Sequence, residues 1–141
     1  MPRGARALGV VEGDVHDIGK NIIKMMLTAS GYEVIDLGRD VPTPEFIEKA
    51  KSEGAQVIAM STLMTPTLMS MQDVETGLDK EGMKGKVRTI IGGGSVIEEW
   101  RQRIGSDAYG KDATEAVSKI KTLIDTIIAA AESMKGDDGS S

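Results

Sequence analysis

The chain has 141 residues, enough for one domain with its own core and no need of covalent staples. A net charge of −5 with no basic run gives no footprint for nucleic acid or an anionic membrane surface, and the absence of cysteine excludes disulfides, thiolate metal sites and a cysteine nucleophile. One histidine excludes a His-pair zinc site within one chain; no apolar run nears the ~18 residues of a membrane span and residues 1–11 carry no signal-peptide pattern, so the expected location is the cytoplasm.

Ala5 to Val11 is a short apolar run that reads as a buried strand. It ends at the loop Gly13-Asp14-Val15-His16-Asp17-Ile18-Gly19, after which Ile18, Ile22, Met25, Met26 and Ala29 recur at helical spacing until Gly31. Glu33 to Leu37 reads as a second strand and Gly38 to Val41 as a loop. Thr43 and Pro44 then form an N-cap and first-turn pair for a helix that carries Phe46, Ile47 and Ala50 on one face and stops at Gly54. Gln56 to Ser61 is the third strand; Thr65-Pro66 starts a helix with Leu68, Met71, Val74 and Leu78 inward, closed by Gly82. Val87 to Ile91 is the fourth, running into Gly92-Gly93-Gly94-Ser95. Ser95 and Glu98 have capping-box spacing ahead of the stripe Ile97, Trp100, Ile104, which Gly105 ends. Asp107 to Tyr109 is a short edge strand. Asp112 with Glu115 caps a last helix through Val117, Ile120, Leu123, Ile127 and Ala131, and Gly136 to Ser141 lacks apolar residues and is expected to be disordered.

Strands alternating with helices imply a parallel sheet with helices on both faces, a doubly wound α/β fold. In the flavodoxin-like order 2-1-3-4-5 of a five-stranded sheet, the ligand crevice lies at the carboxyl ends of strands 1 and 3. The loops after strands 1, 3 and 4 are then neighbours: Gly13 to Gly19, Ser61 to Thr67, and Gly92 to Ser95.

His16 is the only histidine, and Asp14 stands two residues before it, near enough to fix its tautomer while the other ring nitrogen faces a metal. Asp14 and Asp17 also read as helix N-caps, and both readings hold together. Gly19 sits inside the first helical turn, where alanine would favour the helix by up to ~1 kcal/mol, which points to a close approach to the backbone. Ser61, Thr65 and Thr67 bring hydroxyls to the end of strand three, as strand end and helix cap or as ligand contacts. The triple glycine lacks the lysine of a phosphate loop and reads as a wall without side chains. Core filling accounts for most of the methionines Met60, Met64, Met69 and Met71. A receiver domain would need an aspartate where Ser61 stands, and a flavodoxin or dinucleotide binder would not place Asp14 and Asp17 where a phosphate must sit.

The series Asp14-x-His16-x-x-Gly19, Ser61-x-Leu63 and Gly92-Gly93 resembles the cobalamin-binding domain shared by methionine synthase, corrinoid methyl-carrier proteins and adenosylcobalamin mutases, over nearly the whole chain. The fuller run from Gly13 to Asn21 is similar to the methyl-transfer branch. The resemblance implies a cobalamin whose benzimidazole tail leaves cobalt and enters the crevice, with His16 as the lower metal ligand and Asp14 hydrogen-bonded to it. Gly13, Asp17 and Ile18 complete that loop, and Gly19 makes room for the tail. Ser61 would meet the tail base, Leu63 and Thr65 the lower corrin face, and Gly92, Gly93 and Gly94 the tail slot, with Tyr109 in the stretch resembling the wall near it. Thr67 stands where methionine synthase has the serine that completes the histidine–aspartate relay, so a hydroxyl is retained. The implied role is a methyl carrier cycling between methyl-Co(III) and Co(I), a component of a methyltransferase system rather than a complete enzyme. Its partners would be a substrate-specific methyltransferase and a second that serves the methyl acceptor. A cobalamin subunit of an adenosylcobalamin-dependent isomerase and a corrinoid sensor or storage module are the alternatives. Residues 1–135 are expected to form the cofactor domain. Family carriers usually have a helical cap before strand one, and Met1 to Gly4 cannot form it, so that cap is expected to be absent.

Overall fold

The computed structural model describes residues 5–11, 18–62, 64–84, 86–94 and 96–140. Its elements are β1 (Ala5–Val11), α1 (Ile18–Ala29), β2 (Glu33–Val41), α2 (Thr43–Glu53), β3 (Val57–Ser61), a 3-10 turn (Thr65–Thr67), α3 (Leu68–Lys80), β4 (Arg88–Gly92), α4 (Glu98–Ile104), β5 (Ala108–Gly110) and α5 (Ala113–Ser140). The strands form one sheet in the order β2-β1-β3-β4-β5, and every pair is parallel. Each crossover carries a helix, as parallel neighbours require.

The central strands are apolar on both faces, and alternation divides their side chains between two cores. Ile58 and Met60 of β3 and Ile91 of β4 point to one side, where Phe46 and Ala50 of α2, Met71, Val74 and Leu78 of α3 and Ile104 of α4 cover them. Val57, Ala59 and Ile90 point to the other, against Leu27 of α1 and Ala116, Val117, Ile120 and Ile124 of α5. α2 and α3 approach so closely that a Cβ on Gly77 would lie 2.2 Å from Ile47 Cδ1.

Several local readings change. β2 runs through the expected loop to Val41, because Gly38 (φ +88°) and Asp40 (φ +55°) let the strand kink while Gly9↔Gly38 and Val11↔Val41 stay paired. Thr43 is not the cap of α2: Pro42 occupies that position, and Thr43 and Pro44 are the first two helical residues. Ile97, not Ser95, precedes α4, without a side-chain cap, and is 55% exposed; Ser95 lies outside the described residues. Along α1, Ile22 and Met25 are exposed while Leu27, off the expected stripe, is buried, because the helix is apolar around more of its girth than one face. α5 continues to Ser140, so the backbone of 136–140 is helical where disorder was expected.

The stops at Gly54 (φ +63°) and Gly105 (φ +79°) are left-handed caps, as their positions suggest. At α5 the Glu115 N–H donates to Asp112 Oδ1 (2.8 Å) and the Lys111 N–H to Glu115 Oε1 (3.1 Å), a reciprocal cap that starts the helix beside the strand ends. The Lys111 N–H and the Lys119 ammonium hold the Glu115 carboxyl below its ordinary range.

Candidate functional site

The carboxyl ends of β1, β3, β4 and β5 lie along one rim. Of the residues expected there, Gly13, Asp14, His16, Asp17 and Leu63 lie outside the described residues, and Ile18 and Gly19 are the first two residues of α1. The remainder are placed as follows.

Ser61 ends β3, half-buried, with its side chain on the α1/α5 face by alternation from Ala59. It stands at a slot between the sheet and the two helices α1 and α5. Among the described residues the slot is walled by Ile23, Ala59, Ile90, Ala116 and Ile120, by Gly92 and Gly110, and at its polar end by Ser61 and Asp112; its cavity volume is about 50 Å³. Gly92 is thus at the slot, but its neighbours in the triple glycine are not. A Cβ on Gly93 (φ +114°) would lie 2.0 Å from the Thr62 carbonyl oxygen, so that glycine serves the seam between two loops, and Gly94 is exposed. Gly110 has α5 directly against it: a Cβ there would lie 2.6 Å from Ala116 Cβ. Tyr109, expected in the wall near the tail, packs instead against the α2/α3/α4 core, because adjacent strand residues face opposite ways, and Gly110 takes the slot position.

The loop after β3 is built on hydroxyls. Thr62 is fully buried, its N–H donates to the Gly92 carbonyl (3.1 Å), and its Oγ1 accepts from the Met64 N–H (3.2 Å). Thr67, buried in the 3-10 turn, is hydrogen-bonded to Thr62 Oγ1, and its own hydroxyl reaches the Met64 carbonyl (2.7 Å). Thr65 is exposed at the start of that turn. Thr67 is thereby at the rim with its hydroxyl turned into the loop, and Thr62, which sequence reasoning missed, is its nearest hydroxyl neighbour. The available signal was a threonine directly after a fully apolar strand, at a depth where a hydroxyl must find a partner.

Lys20 is the second residue missed. It lies in the first turn of α1, 4% exposed, with its ammonium 2.8 and 2.9 Å from the two oxygens of Asp36 on β2. Asp36 also accepts from the Gly38 N–H (2.8 Å) and Lys24 (3.2 Å). Burial pushes its carboxyl up, but the Lys20 ammonium, the Gly38 N–H and Lys24 outweigh that and hold it below the usual carboxylate range. The pair pins the start of α1 to the strand beside β1.

Among the described residues no three His, Cys, Asp or Glu side chains converge as a metal would require, and no helix is long and apolar enough to cross a membrane. What the rim offers is a narrow slot with apolar depth, walls of glycine and alanine, and a polar lip. A flat group entered edge-on suits it best, since Gly92 leaves one wall without a side chain while Ala116 already packs against Gly110.

Residues 6–118 match the family described as the B12 binding domain. The trimethylamine corrinoid protein 1 of Methanosarcina mazei is 46% identical over 121 residues, covering 86% of this chain and 56% of that protein. A cobalamin-binding protein from Desulfitobacterium hafniense DCB-2 superposes with a TM-score of 0.83 at 39% identity, over 86% of this chain and 59% of that one. The methanol:cobalamin methyltransferase complex MtaBC of Methanosarcina barkeri contains a chain that superposes with a TM-score of 0.83 at 35% identity, over 88% of this chain and 47% of that one. The chain therefore spans roughly half the length of each of these three.

Proposed function

The chain belongs to the B12 binding domain family, and from that membership we propose that residues 1–135 hold cobalamin with its nucleotide base in the slot and act as a methyl carrier between methyltransferases. The observation that carries the reading is the slot itself: it lies at the carboxyl ends of the strands, its wall at Gly92 has no side chain, and its depth is apolar. In the flavodoxin-like order this is where a doubly wound sheet takes its ligand.

Bound cobalamin supplies the cobalt centre that accepts and gives up a methyl group. The chain's own part is to present one imidazole and to seat the base. His16 offers a neutral nitrogen, and Asp14 holds the proton on the other ring nitrogen. Ser61 meets the base at the slot's lip, Gly19 leaves room beside it, and the Thr62–Thr67 hydroxyl pair keeps the loop after β3 against β4. A relative described as a trimethylamine corrinoid protein and a methanol:cobalamin methyltransferase complex support methyltransferases as partners.

The test is the absorption spectrum of the protein loaded with cobalamin, compared with His16→Gly. A spectrum of nitrogen-ligated cobalt in the parent that becomes one of cobalt without that nitrogen in the variant is the expected result, together with a slowed methyl transfer. Identical spectra and rates would overturn the assignment of His16.

A further inference from the structure

We propose that the slot selects among corrinoids by the chemistry of their nucleotide base, taking a hydrocarbon-substituted benzimidazole in preference to a purine. The inference rests on the slot being the seat of the base. Its depth is walled by Ile23, Ala59, Ile90, Ala116 and Ile120, and the polar side chains on its lining, among the described residues, are Ser61 and Asp112 at one end. The wall's main chain is committed elsewhere. Ser61 pairs with Gly92 and Gly92 with Gly110 in the sheet, and the Gly92 carbonyl also accepts from the Thr62 N–H. A Cβ on Gly110 would already collide with Ala116, so the wall at that point is closed rather than porous to water.

A dimethylbenzimidazole presents methyl groups and ring carbons to such walls and gains from leaving water. Adenine carries an exocyclic amine and further ring nitrogens, each hydrogen-bonded in water, and enclosing any of them without a partner is penalised. Ser61 and Asp112 sit at the lip and can serve one polar edge there, which leaves the opposite edge of a purine facing isoleucine and alanine. For one stranded polar group the expected loss of affinity is about tenfold or more.

The experiment titrates the full-length apoprotein with three corrinoids and follows the cobalt absorption: cobalamin, its adenine-tailed analogue, and tail-less cobinamide. The expected order is cobalamin tightest, the adenine analogue weaker by about tenfold or more, and cobinamide weaker than cobalamin. Equal affinity for cobalamin and the adenine analogue, with cobinamide weaker, would overturn the selectivity while leaving the base in the slot. Equal affinity for cobalamin and cobinamide would instead overturn the seating of the base, and the selectivity with it. Ala59→Ser places a hydroxyl in the apolar depth and should narrow the ratio between the two tailed corrinoids severalfold. Ile23→Thr, on the half-buried helical wall of the slot, does the same if the first variant fails to melt cooperatively. A ratio unmoved by a folded variant of either kind would overturn the proposal.

Discussion

Lys20 and Asp36 form an ion pair in which the cation is the enclosed partner: Lys20 is 4% exposed and Asp36 20%. The asymmetry predicts which half of the pair the fold depends on. Lys20→Met places a thioether of similar length in a site already dry and leaves Asp36 with Lys24, the Gly38 N–H and water; it should cost about 1 kcal/mol. Asp36→Ala leaves an ammonium with no counter-charge in that site and should cost about 3 kcal/mol. Urea unfolding midpoints at constant slope measure both.

Acidification should act through the same pair. The folded Asp36 carboxyl is held below its unfolded value, so its contribution is fully present above the unfolded value and is lost as pH falls through the folded one. The acid limb of the stability profile, below about pH 4, should therefore flatten in Asp36→Asn relative to the parent. Melting temperatures recorded between pH 2 and 6 supply the comparison, and parallel limbs would contradict it.

At the opposite end of the sheet the polarity is reversed. Glu75 of α3 is 2% exposed and paired with Lys84, 31% exposed, whose ammonium also reaches the Gly105 carbonyl (2.7 Å). Here the carboxylate is the enclosed member. Lys84→Met should cost roughly 3 kcal/mol, and Glu75→Gln close to nothing at neutral pH. Burial raises the Glu75 carboxyl despite hydrogen bonds from Lys84 and Thr89. Its contribution is complete below the unfolded value and declines as pH rises through the folded one, so Glu75→Gln should remove that decline. Unfolding free energies at pH 4 and pH 7 decide it.

Two adjacent glycines should respond differently to alanine. At Gly93 the backbone is in the left-handed region and the added carbon meets the Thr62 carbonyl at 2.0 Å, so Gly93→Ala should destabilise by more than about 2 kcal/mol. At Gly92 the nearest atom is the Gly110 carbonyl oxygen, 3.0 Å away, and the new methyl projects at the slot. Gly92→Ala should fold with a smaller loss and bind cobalamin more weakly. Paired thermal melts and cobalamin titrations separate the two outcomes.

The slot's cavity of about 50 Å³ is tight for an aromatic base, since a cavity of roughly 150 Å³ is known to take a benzene ring. Ile23, half-buried, is the bulky side chain that α1 contributes to its wall. Ile23→Ala should speed cobalamin association several-fold at little cost in affinity, in stopped-flow mixing of apoprotein with cofactor. An unchanged rate would place the obstacle elsewhere.

The alternation of apolar runs and amphipathic segments was legible where helix boundaries carry their own signals, seen in the left-handed stops at Gly54 and Gly105 and in the Asp112–Glu115 pair that starts α5. The continuation of β2 was hidden: Gly38 and Asp40 are turn-forming residues, and only pairing with β1 makes them a kinked strand. Lys20 was hidden because a lysine on a helix reads as solvated until a distant carboxylate is known to face it. Tyr109 was misplaced by parity: in a three-residue strand, one position decides the face. His16, Asp14 and Leu63 rest on the motif they belong to and lie outside the described residues.

The seam between Thr62 and Gly93 carries a lesson for anyone re-engineering this rim. The loops leaving β3 and β4 touch main chain to main chain, one tethered through an amide and the other admitted only because it lacks a methyl group. Neither can be grafted from another scaffold alone: a chimera that imports one without its mate inherits a collision or a gap, so the two must be exchanged as a single cassette.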